Sequence, residues 1–144
     1  MTAPPVAHIR RRVSMTDVDL VQINFARYFP WMDEGFGLLL EECGHPLSSI
    51  IANGHATPVV SVQCDYVRPV TLDDRVDGWS AVTKIGTSSF EVSHRFESDG
   101  LIAIGRATHV WIAVAPTQRA VPVPQWIHDA LDPGFLDDAK AVLR

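Results

Sequence analysis

DVDLVQINFARYFPWMDEGFGLLLEECG, residues 17–44, is the stretch of sequence that decides the fold. Its apolar side chains recur at helical spacing, which predicts one long amphipathic helix. The predicted buried stripe consists of Phe25, Tyr28, Phe29, Met32, Phe36, Leu39, Leu40 and Cys43, and the predicted outward face of Asp33, Glu34, Glu41 and Glu42. No other segment of the chain carries so clear a helical period.

Both ends of this helix are marked in the sequence. Asn24 is a suitable N-cap, and Gly44 can take the left-handed conformation that ends a helix. Pro30 lacks a backbone donor, so we expect a distorted first turn or a kink near it. Gly35 and Gly37 weaken helical preference, and we expect them to allow a sheet to approach the helix closely.

Alternating side chains predict strands on either side of this helix. The predicted strands cover residues 8–15, 57–66, 75–85, 89–97 and 101–115, with a loop at 46–56 and short helices at 125–131 and 135–143. The strand at 57–66 is expected to be half-buried, and the last strand, apolar at nearly every position, to lie at the centre of a sheet. This order predicts an α+β domain in which one helix covers a curved antiparallel sheet.

Length and composition predict one domain spanning residues 1–144, with a core at about 8–124 and the short helices at 125–143. The chain has 144 residues, of which 47% are hydrophobic and 20% charged. This composition is typical of a globular protein, and no apolar run reaches the ~20 residues of a membrane span. The N-terminus lacks an apolar signal core, so we expect a cytoplasmic protein.

The charge and the cysteines exclude other classes of function. A net charge of -5 argues against a nucleic-acid surface. Cys43 and Cys64 have neither the spacing nor the histidine company of a metal site, so no metal is expected, and both are expected to be reduced. His94 and His109 fall on apolar strand faces and are interpreted as satisfied core residues rather than bases.

Two carboxylates, Asp17 and Asp19, lie just before the predicted helix N-terminus. The free amide groups of a helix N-terminus favour negative charge, so the pattern places an acid beside an anion-stabilising site. For an isolated pair, a structural role as a cap or ion-pair partner is the stronger interpretation. The motifs elsewhere in the chain favour a functional one.

Taken together, the motifs resemble those of the hotdog-fold acyl-CoA thioesterases, specifically the 4-hydroxybenzoyl-CoA thioesterase type. The resemblance runs from about residue 13 to 124. It is carried by Asp17-Val18-Asp19, by Phe25-Ala26-Arg27-Tyr28-Phe29 with Trp31-Met32-Asp33-Glu34, by Cys43-Gly44-His45-Pro46, by Thr57-Pro58-Val59-Val60-Ser61, by Asp65-Tyr66-Val67-Arg68-Pro69 and by Val121-Pro122-Val123-Pro124. Each motif is common alone, and their order and spacing make the set specific.

The resemblance implies a fold, an assembly and a catalytic group. In this family two subunits join their sheets edge to edge with active sites between them, which implies a homodimer or homotetramer. The catalytic carboxylate is usually the second aspartate of the motif, here Asp19, and the oxyanion contact a backbone N–H at the helix start, here near Phe25. The family's glycine three residues after the aspartate is replaced by Gln22, and the connection to Tyr28 is one residue shorter, which leaves the register of Asp17 against Asp19 open.

The resemblance also implies how the substrate is bound. Gln22 and Asn24 are polar candidates beside the oxyanion site, with loop bonding or capping as the alternative. Thr57 and Ser61 are expected to border the pocket. The related enzymes meet the CoA phosphates with basic residues in one strand connection, where this chain offers only Lys84. Coenzyme A would enter only as part of the substrate, with no other cofactor.

Thioester hydrolysis suits a lone carboxylate, because a thiol of pKa ~8.5 leaves without much protonation. Asp19 could attack the carbonyl directly or deprotonate the attacking water. A hotdog hydratase or dehydratase and a non-catalytic acyl-binding module are the alternative functions. An aromatic acyl group is favoured over a fatty chain by the resemblance and by bulky side chains near the proposed site, with Tyr28 expected to contact the substrate. These side chains are Phe25, Tyr28, Phe29, Trp31 and Met32, and ordinary core packing is their alternative role.

Overall fold

The computed structural model describes residues 3–142, with the side chains of residues 3–139. Within these residues, three strands precede the one long helix along the chain, and seven strands follow it. The elements are β1 (Ala7–Arg12), β2 (Val18–Asp19), β3 (Gln22–Ile23), a 3₁₀ turn (Phe25–Arg27), α1 (Tyr28–Glu42), α2 (Leu47–Ala52), β4 (His55–Ala56), β5 (Val59–Tyr66), β6 (Arg75–Ile85), β7 (Ser89–Glu97), β8 (Leu101–Val110), β9 (Ile112–Ala113), β10 (Arg119–Ala120), α3 (Gln125–Asp129) and α4 (Asp137–Val142).

Five strands form one antiparallel sheet in the order β1-β6-β7-β8-β5. The long helix α1 lies across one face of this sheet and contacts β1, β6 and β7. The prediction of an α+β domain with one helix over an antiparallel sheet is therefore confirmed. Within residues 3–142, no helix is long and apolar enough to cross a membrane.

The predicted helix signals act as expected. Asn24 Oδ1 accepts a 2.9 Å hydrogen bond from the Ala26 amide and so caps the 3₁₀ turn that precedes α1. Pro30 lies in the first turn of α1, where its missing N–H costs little, and the 3₁₀ turn is the expected distortion. Gly44 ends the helix with φ +84.

Close approach of the helix to the sheet rests on two glycines. A Cβ on Gly35 of α1 would collide with the Ser80 hydroxyl on β6. A Cβ on Gly105 of β8 would lie 2.6 Å from the sulfur of Met32, so the sheet also contributes a glycine to the contact. The same prediction for Gly37 is wrong, because a Cβ there would meet nothing within 4 Å.

The burial of α1 differs from the predicted stripe at its start. Phe25 is 66% exposed, while Trp31 is buried. The reason is that Phe25 belongs to the 3₁₀ turn, which rotates by a different angle per residue than α1 does. Tyr28, Met32 and Phe36 are buried as predicted.

Several predicted element boundaries differ from those in the structure. Residues 46–56, predicted as a loop, contain α2 and β4. The strand predicted over residues 101–115 ends at Val110, and β9 then pairs with β4 and β10 in a separate small sheet. The C-terminal helices are shorter than predicted, at Gln125–Asp129 and Asp137–Val142, and residue 143 of the second prediction lies outside the described residues.

Strand β5 is an edge of the main sheet and is more exposed than predicted. Val60 is 61% and Val62 49% exposed, and Tyr66 at its end is 46% exposed. Half-burial was expected from the alternating pattern, but an edge strand has a neighbour on one side alone. Apolar side chains therefore line an unpaired strand edge.

Candidate functional site

Asp19 sits at the tip of a two-stranded hairpin in front of α1. In this hairpin Asp19 pairs with Gln22 and Val18 with Ile23. The turn is made by Leu20, with φ 62, and Val21. Leu20 is 94% exposed, and the carboxylate of Asp19 is exposed and accepts no hydrogen bond from any residue between 3 and 139. An exposed, unengaged carboxylate is available to a ligand.

Asp17, two residues earlier, has the opposite environment. The residue is 5% exposed, and its carboxylate accepts hydrogen bonds from the Ser14 amide (2.8 Å), the Ser14 hydroxyl (3.0 Å) and Arg27 Nε (2.6 Å). Its backbone carbonyl accepts from the Asn24 amide at 2.7 Å. Burial by itself raises the pKa of Asp17, but the hydrogen bonds from Ser14 and Arg27 outweigh it and lower that pKa. Asp17 thus ties the segment before β2 to the start of the helix.

The start of the 3₁₀ turn presents a free backbone donor. The Phe25 amide has no acceptor among residues 3–142, whereas the next amide, of Ala26, is capped by Asn24. On the other side of the peptide chain, the Tyr66 hydroxyl donates a 2.9 Å hydrogen bond to the Phe25 carbonyl. This bond fixes the orientation of the Phe25 backbone. The geometry suits the predicted oxyanion contact at Phe25.

A cavity of about 440 Å³, the loop cavity, opens beside this turn. Its lining includes Gln22, Phe25, Tyr28, Tyr66 and Arg68. Burial raises the pKa of Tyr66 to about 12 and that of Tyr28 further, so both phenols stay protonated donors. The predicted site residues Gln22, Phe25 and Tyr28 thus lie together, and Asp19 is opposite Gln22 in the hairpin.

A second cavity of about 200 Å³, the sheet cavity, lies between α1 and the sheet next to β5. Most of its lining is apolar: Phe29, Met32, Phe36, Val59, Val62 and Ala107. Three polar side chains join them, namely Asp33, His94 and His109. The two cavities follow one another along α1, since Tyr28 lines the first and Phe29 the second.

Both histidines of the sheet cavity are buried, and their interpretation as satisfied core residues is only half right. His94 shares a 2.7 Å hydrogen bond with Ser80 Oγ through Nδ1, and His109 one of 3.0 Å with the Thr57 carbonyl. The Nε2 atoms of both rings are buried with no partner among the described residues. Sequence pattern could not reveal this, because it shows that a side chain is inside but not which of its atoms is paired.

The remaining predicted binding residues are dispersed. Thr57 takes part through its carbonyl, which holds His109. Ser61 is exposed on β5, and Lys84 is exposed near the end of β6, and neither lines the loop cavity or the sheet cavity. Sequence reasoning missed Arg68 as a cation at the loop cavity, although it lies in the quoted Asp65-Tyr66-Val67-Arg68-Pro69 motif.

One long helix over a five-stranded antiparallel sheet, with a carboxylate hairpin before the helix, defines a protein of the hotdog class. The chain matches the family described as the thioesterase-like superfamily over residues 13–131. It therefore belongs to that superfamily.

Similar proteins act on aromatic thioesters. The chain is 23% identical to the 1,4-dihydroxy-2-naphthoyl-CoA hydrolase of Thermosynechococcus vestitus, over 90% of this chain and 94% of that one. A gentisyl-coenzyme A thioesterase structure is 28% identical, with a TM-score of 0.74 over 89% of this chain and 100% of the other. The structure of 4-hydroxybenzoyl-CoA thioesterase from Pseudomonas sp. strain CBS-3 shares the fold at 20% identity, with a TM-score of 0.75 over 87% and 98% of the two chains.

Proposed function

We propose that this protein is an acyl-CoA thioesterase that hydrolyses aryl-CoA thioesters to the free acid and coenzyme A. The observation that carries the proposal is an exposed, unengaged Asp19 carboxylate in the hairpin that leads directly into a free Phe25 amide at the start of the helix. A carboxylate and an oxyanion donor are what thioester hydrolysis requires. Membership in the thioesterase-like superfamily supports the same activity.

The Phe25 amide would polarise the thioester carbonyl and stabilise the oxyanion that develops on it. Removing one such donor typically costs ~3 kcal/mol of transition-state stabilisation. Asp19 then either attacks the carbonyl carbon, forming a mixed anhydride that water opens, or takes a proton from the attacking water. In both routes the carbon–sulfur bond breaks and CoA leaves as a thiolate. A single turnover in ¹⁸O-labelled water tests for direct attack: an unlabelled first product arises only when Asp19 attacks the thioester and water then opens the anhydride at the Asp19 carbonyl.

We assign Asp17 a positioning role rather than a chemical one. All of its hydrogen bonds go to the segments that flank the hairpin, at Ser14, Asn24 and Arg27. A carboxylate held by a guanidinium is a weaker base and nucleophile than one in water. Of the two aspartates, Asp19 is therefore the catalytic candidate.

The active unit is proposed to be a homodimer joined along β5, which could pair further into a tetramer. The edge of β5 exposes Val60 and Val62, and the hairpin before the helix exposes Leu20 and Val21 at 94% and 76%. An exposed apolar strand edge is normally covered by another strand. A second copy of the same strand is the simplest cover, since it gives a closed, two-fold symmetric contact.

Such pairing would bring the loop cavity of one copy beside the sheet cavity of the other. Antiparallel pairing of two β5 strands places the Tyr66 end of one copy beside the Val59 end of the other. Tyr66 lines the loop cavity and Val59 the sheet cavity. A thioester held at Asp19 of one copy would then direct its acyl group toward the sheet cavity of the second copy. Each dimer would contain two such composite sites.

Coenzyme A would be bound as part of the substrate. We assign the phosphate contact to Arg68, which lines the loop cavity, because Lys84 lines neither cavity. Guanidinium groups bind phosphate oxygens in a bidentate manner. No further cofactor is needed for the proposed hydrolysis.

The function is tested by screening purified protein against benzoyl-type and fatty acyl-CoA thioesters with detection of the free thiol. We expect turnover of aryl-CoA thioesters and slower turnover of palmitoyl-CoA. Saturable binding of acyl-CoA without thiol release would instead identify a non-catalytic acyl-binding protein. Faster turnover of palmitoyl-CoA would overturn the preference for an aromatic acyl group.

A further inference from the structure

One residue that lines the sheet cavity, His109, carries a buried hydrogen-bonding atom that no described residue uses. His109 is 3% exposed, and its Nε2 has no partner in the part of the chain that the structure describes. The side chains around it are mainly apolar, including Met32, Phe36 and Val62. A buried polar atom without a partner costs free energy, so the cavity is prepared for a ligand that supplies one.

The bond at the other ring nitrogen determines which kind of partner fits. His109 Nδ1 lies 3.0 Å from the Thr57 carbonyl oxygen. A carbonyl oxygen only accepts, so Nδ1 carries the proton and donates it. A neutral imidazole has one proton, and Nε2 is therefore a lone-pair acceptor. The missing partner must be a donor.

The ring is held in place rather than free to turn away. It stacks on Phe36 with ring centroids 4.0 Å apart and on Phe90 with centroids 5.3 Å apart. Val59, the register partner of His109 on β5, lines the same cavity. The His109 ring, and with it Nε2, thus keeps a fixed position beside the cavity.

We propose that His109 is a specificity-determining residue whose Nε2 accepts a hydrogen bond from a hydroxyl group on the aromatic ring of the substrate. This inference rests on the proposed thioesterase function and adds the ring substituent that the sheet cavity selects. An aryl group fits the aromatic and aliphatic lining, and a phenol supplies the one donor that the lining lacks. An unsubstituted ring would leave Nε2 unpaired in the complex.

The hydrogen bond at His94 Nδ1 does not determine whether the Nε2 of that ring is a donor or an acceptor. Its Nδ1 partner is the Ser80 hydroxyl, which can donate or accept, so the unpaired Nε2 of His94 can be of either kind. The proposal therefore rests on His109.

Charge in the cavity favours a neutral ligand group over an anionic one. Burial lowers the pKa of His109, and it lowers that of His94 to about 3, so both rings are neutral at pH 7. Asp33, the third polar residue of the lining, is the group whose negative charge opposes the shift of His109. A phenolate oxygen would be repelled by the Asp33 carboxylate and by the lone pair on His109 Nε2. A phenol can instead donate a hydrogen bond to that Nε2.

The test compares benzoyl-CoA with its three monohydroxy derivatives in four proteins. His109→Asn keeps an amide N–H that can donate to the Thr57 carbonyl but has no acceptor at the Nε2 position. His109→Gln presents an oxygen near that position and loses the Thr57 bond. His128→Asn makes the same chemical change at an exposed histidine and is the control.

We expect the wild type to favour at least one hydroxybenzoyl-CoA over benzoyl-CoA by roughly 10–100-fold in kcat/KM. His109→Asn should collapse this ratio, His109→Gln should retain most of it, and the control should leave it unchanged. Hydrolysis of all four thioesters at equal kcat/KM would overturn the inference while leaving the thioesterase function intact. An unchanged ratio in His109→Asn would also overturn it.

A measurement without turnover covers the case in which the variants do not fold. In wild-type protein labelled with ¹⁵N-histidine, His109 Nε2 should give the signal of an unprotonated nitrogen. Saturation with the hydroxybenzoate product should shift this signal, and saturation with benzoate should not. A protonated Nε2, or no shift at saturation, overturns the inference. A shift in a protein that cleaves no thioester would instead refute the proposed function alone.

Discussion

Arg27 Nε donates a 2.6 Å hydrogen bond to Asp17 Oδ1, while the carboxylate of Asp19, two residues further on, accepts no hydrogen bond from the described residues. Two chemically identical side chains of one motif thus have different environments. The first joins the start of the helix to the segment before the hairpin. The second is left to face a ligand.

Asp17→Asn is expected to destabilise the protein. The substitution removes the charge that the Arg27 guanidinium faces and disturbs the bonds from Ser14, at a cost of about 2 kcal/mol. Denaturant unfolding should show a lower midpoint with an unchanged slope. Turnover should fall only in part. Complete loss of turnover in a fully stable Asp17→Asn protein would move the catalytic assignment to Asp17.

The same residue predicts a pH dependence of stability. The folded-state pKa of Asp17 lies below its ordinary value of 3.8, so its contribution is present above that value and is lost as the pH falls through the folded pKa. The difference in unfolding free energy between wild type and Asp17→Asn should be constant from neutral pH down to about pH 5 and shrink below about pH 4. A difference that grows as the pH falls would contradict the ion pair.

Asp19→Asn should abolish turnover while acyl-CoA still binds. The amide keeps the shape of the side chain but lacks the charge that makes it a nucleophile or base, and we expect kcat to fall by ~10²–10⁴-fold. Stability should not change, because no hydrogen bond is lost. Glu42→Gln, at an exposed position at the end of α1, is the matched control. An active Asp19→Asn enzyme would refute the assignment.

Gly35 and Gly37 form a matched pair for the contact between helix and sheet. Gly35→Ala should destabilise the protein, because the new methyl group collides with the Ser80 hydroxyl and lies 3.5 Å from His94 Nδ1. Gly37→Ala meets nothing within 4 Å and should stabilise α1 by about 0.5–1 kcal/mol. The midpoint of thermal unfolding should fall in Gly35→Ala and rise in Gly37→Ala. Equal effects would show that the helical preference of the backbone, and not the room for a methyl group, determines the change in stability.

Val60→Lys is expected to separate the proposed dimer. Val60 is 61% exposed on β5 and lines neither cavity, so a lysine there opposes edge pairing without entering the site. Sedimentation should show a monomer with reduced turnover. Leu72→Lys, at a residue 40% exposed outside the strands, is the control and should leave the assembly unchanged. A wild-type protein that sediments as an active monomer would contradict the composite site.

The sequence alone determined the long helix, its cap at Asn24 and its end at Gly44, because periodicity, capping and left-handed backbone are local properties. It also determined the succession of the long strands along the chain but not their order in the sheet, where β5 pairs with β8, and its motifs placed Asp17 and Asp19 before the helix. Only the tertiary structure decided which residues pair across long separations. Tyr66 reaches Phe25, and Thr57 orients His109, across 41 and 52 residues. Local pattern predicted the burial of Tyr28, Met32 and Phe36 but not the exposure of Phe25 or of β5. The pairing of an individual polar atom depends on what the rest of the chain brings beside it, and so the unpaired His109 Nε2 had no signal in the sequence.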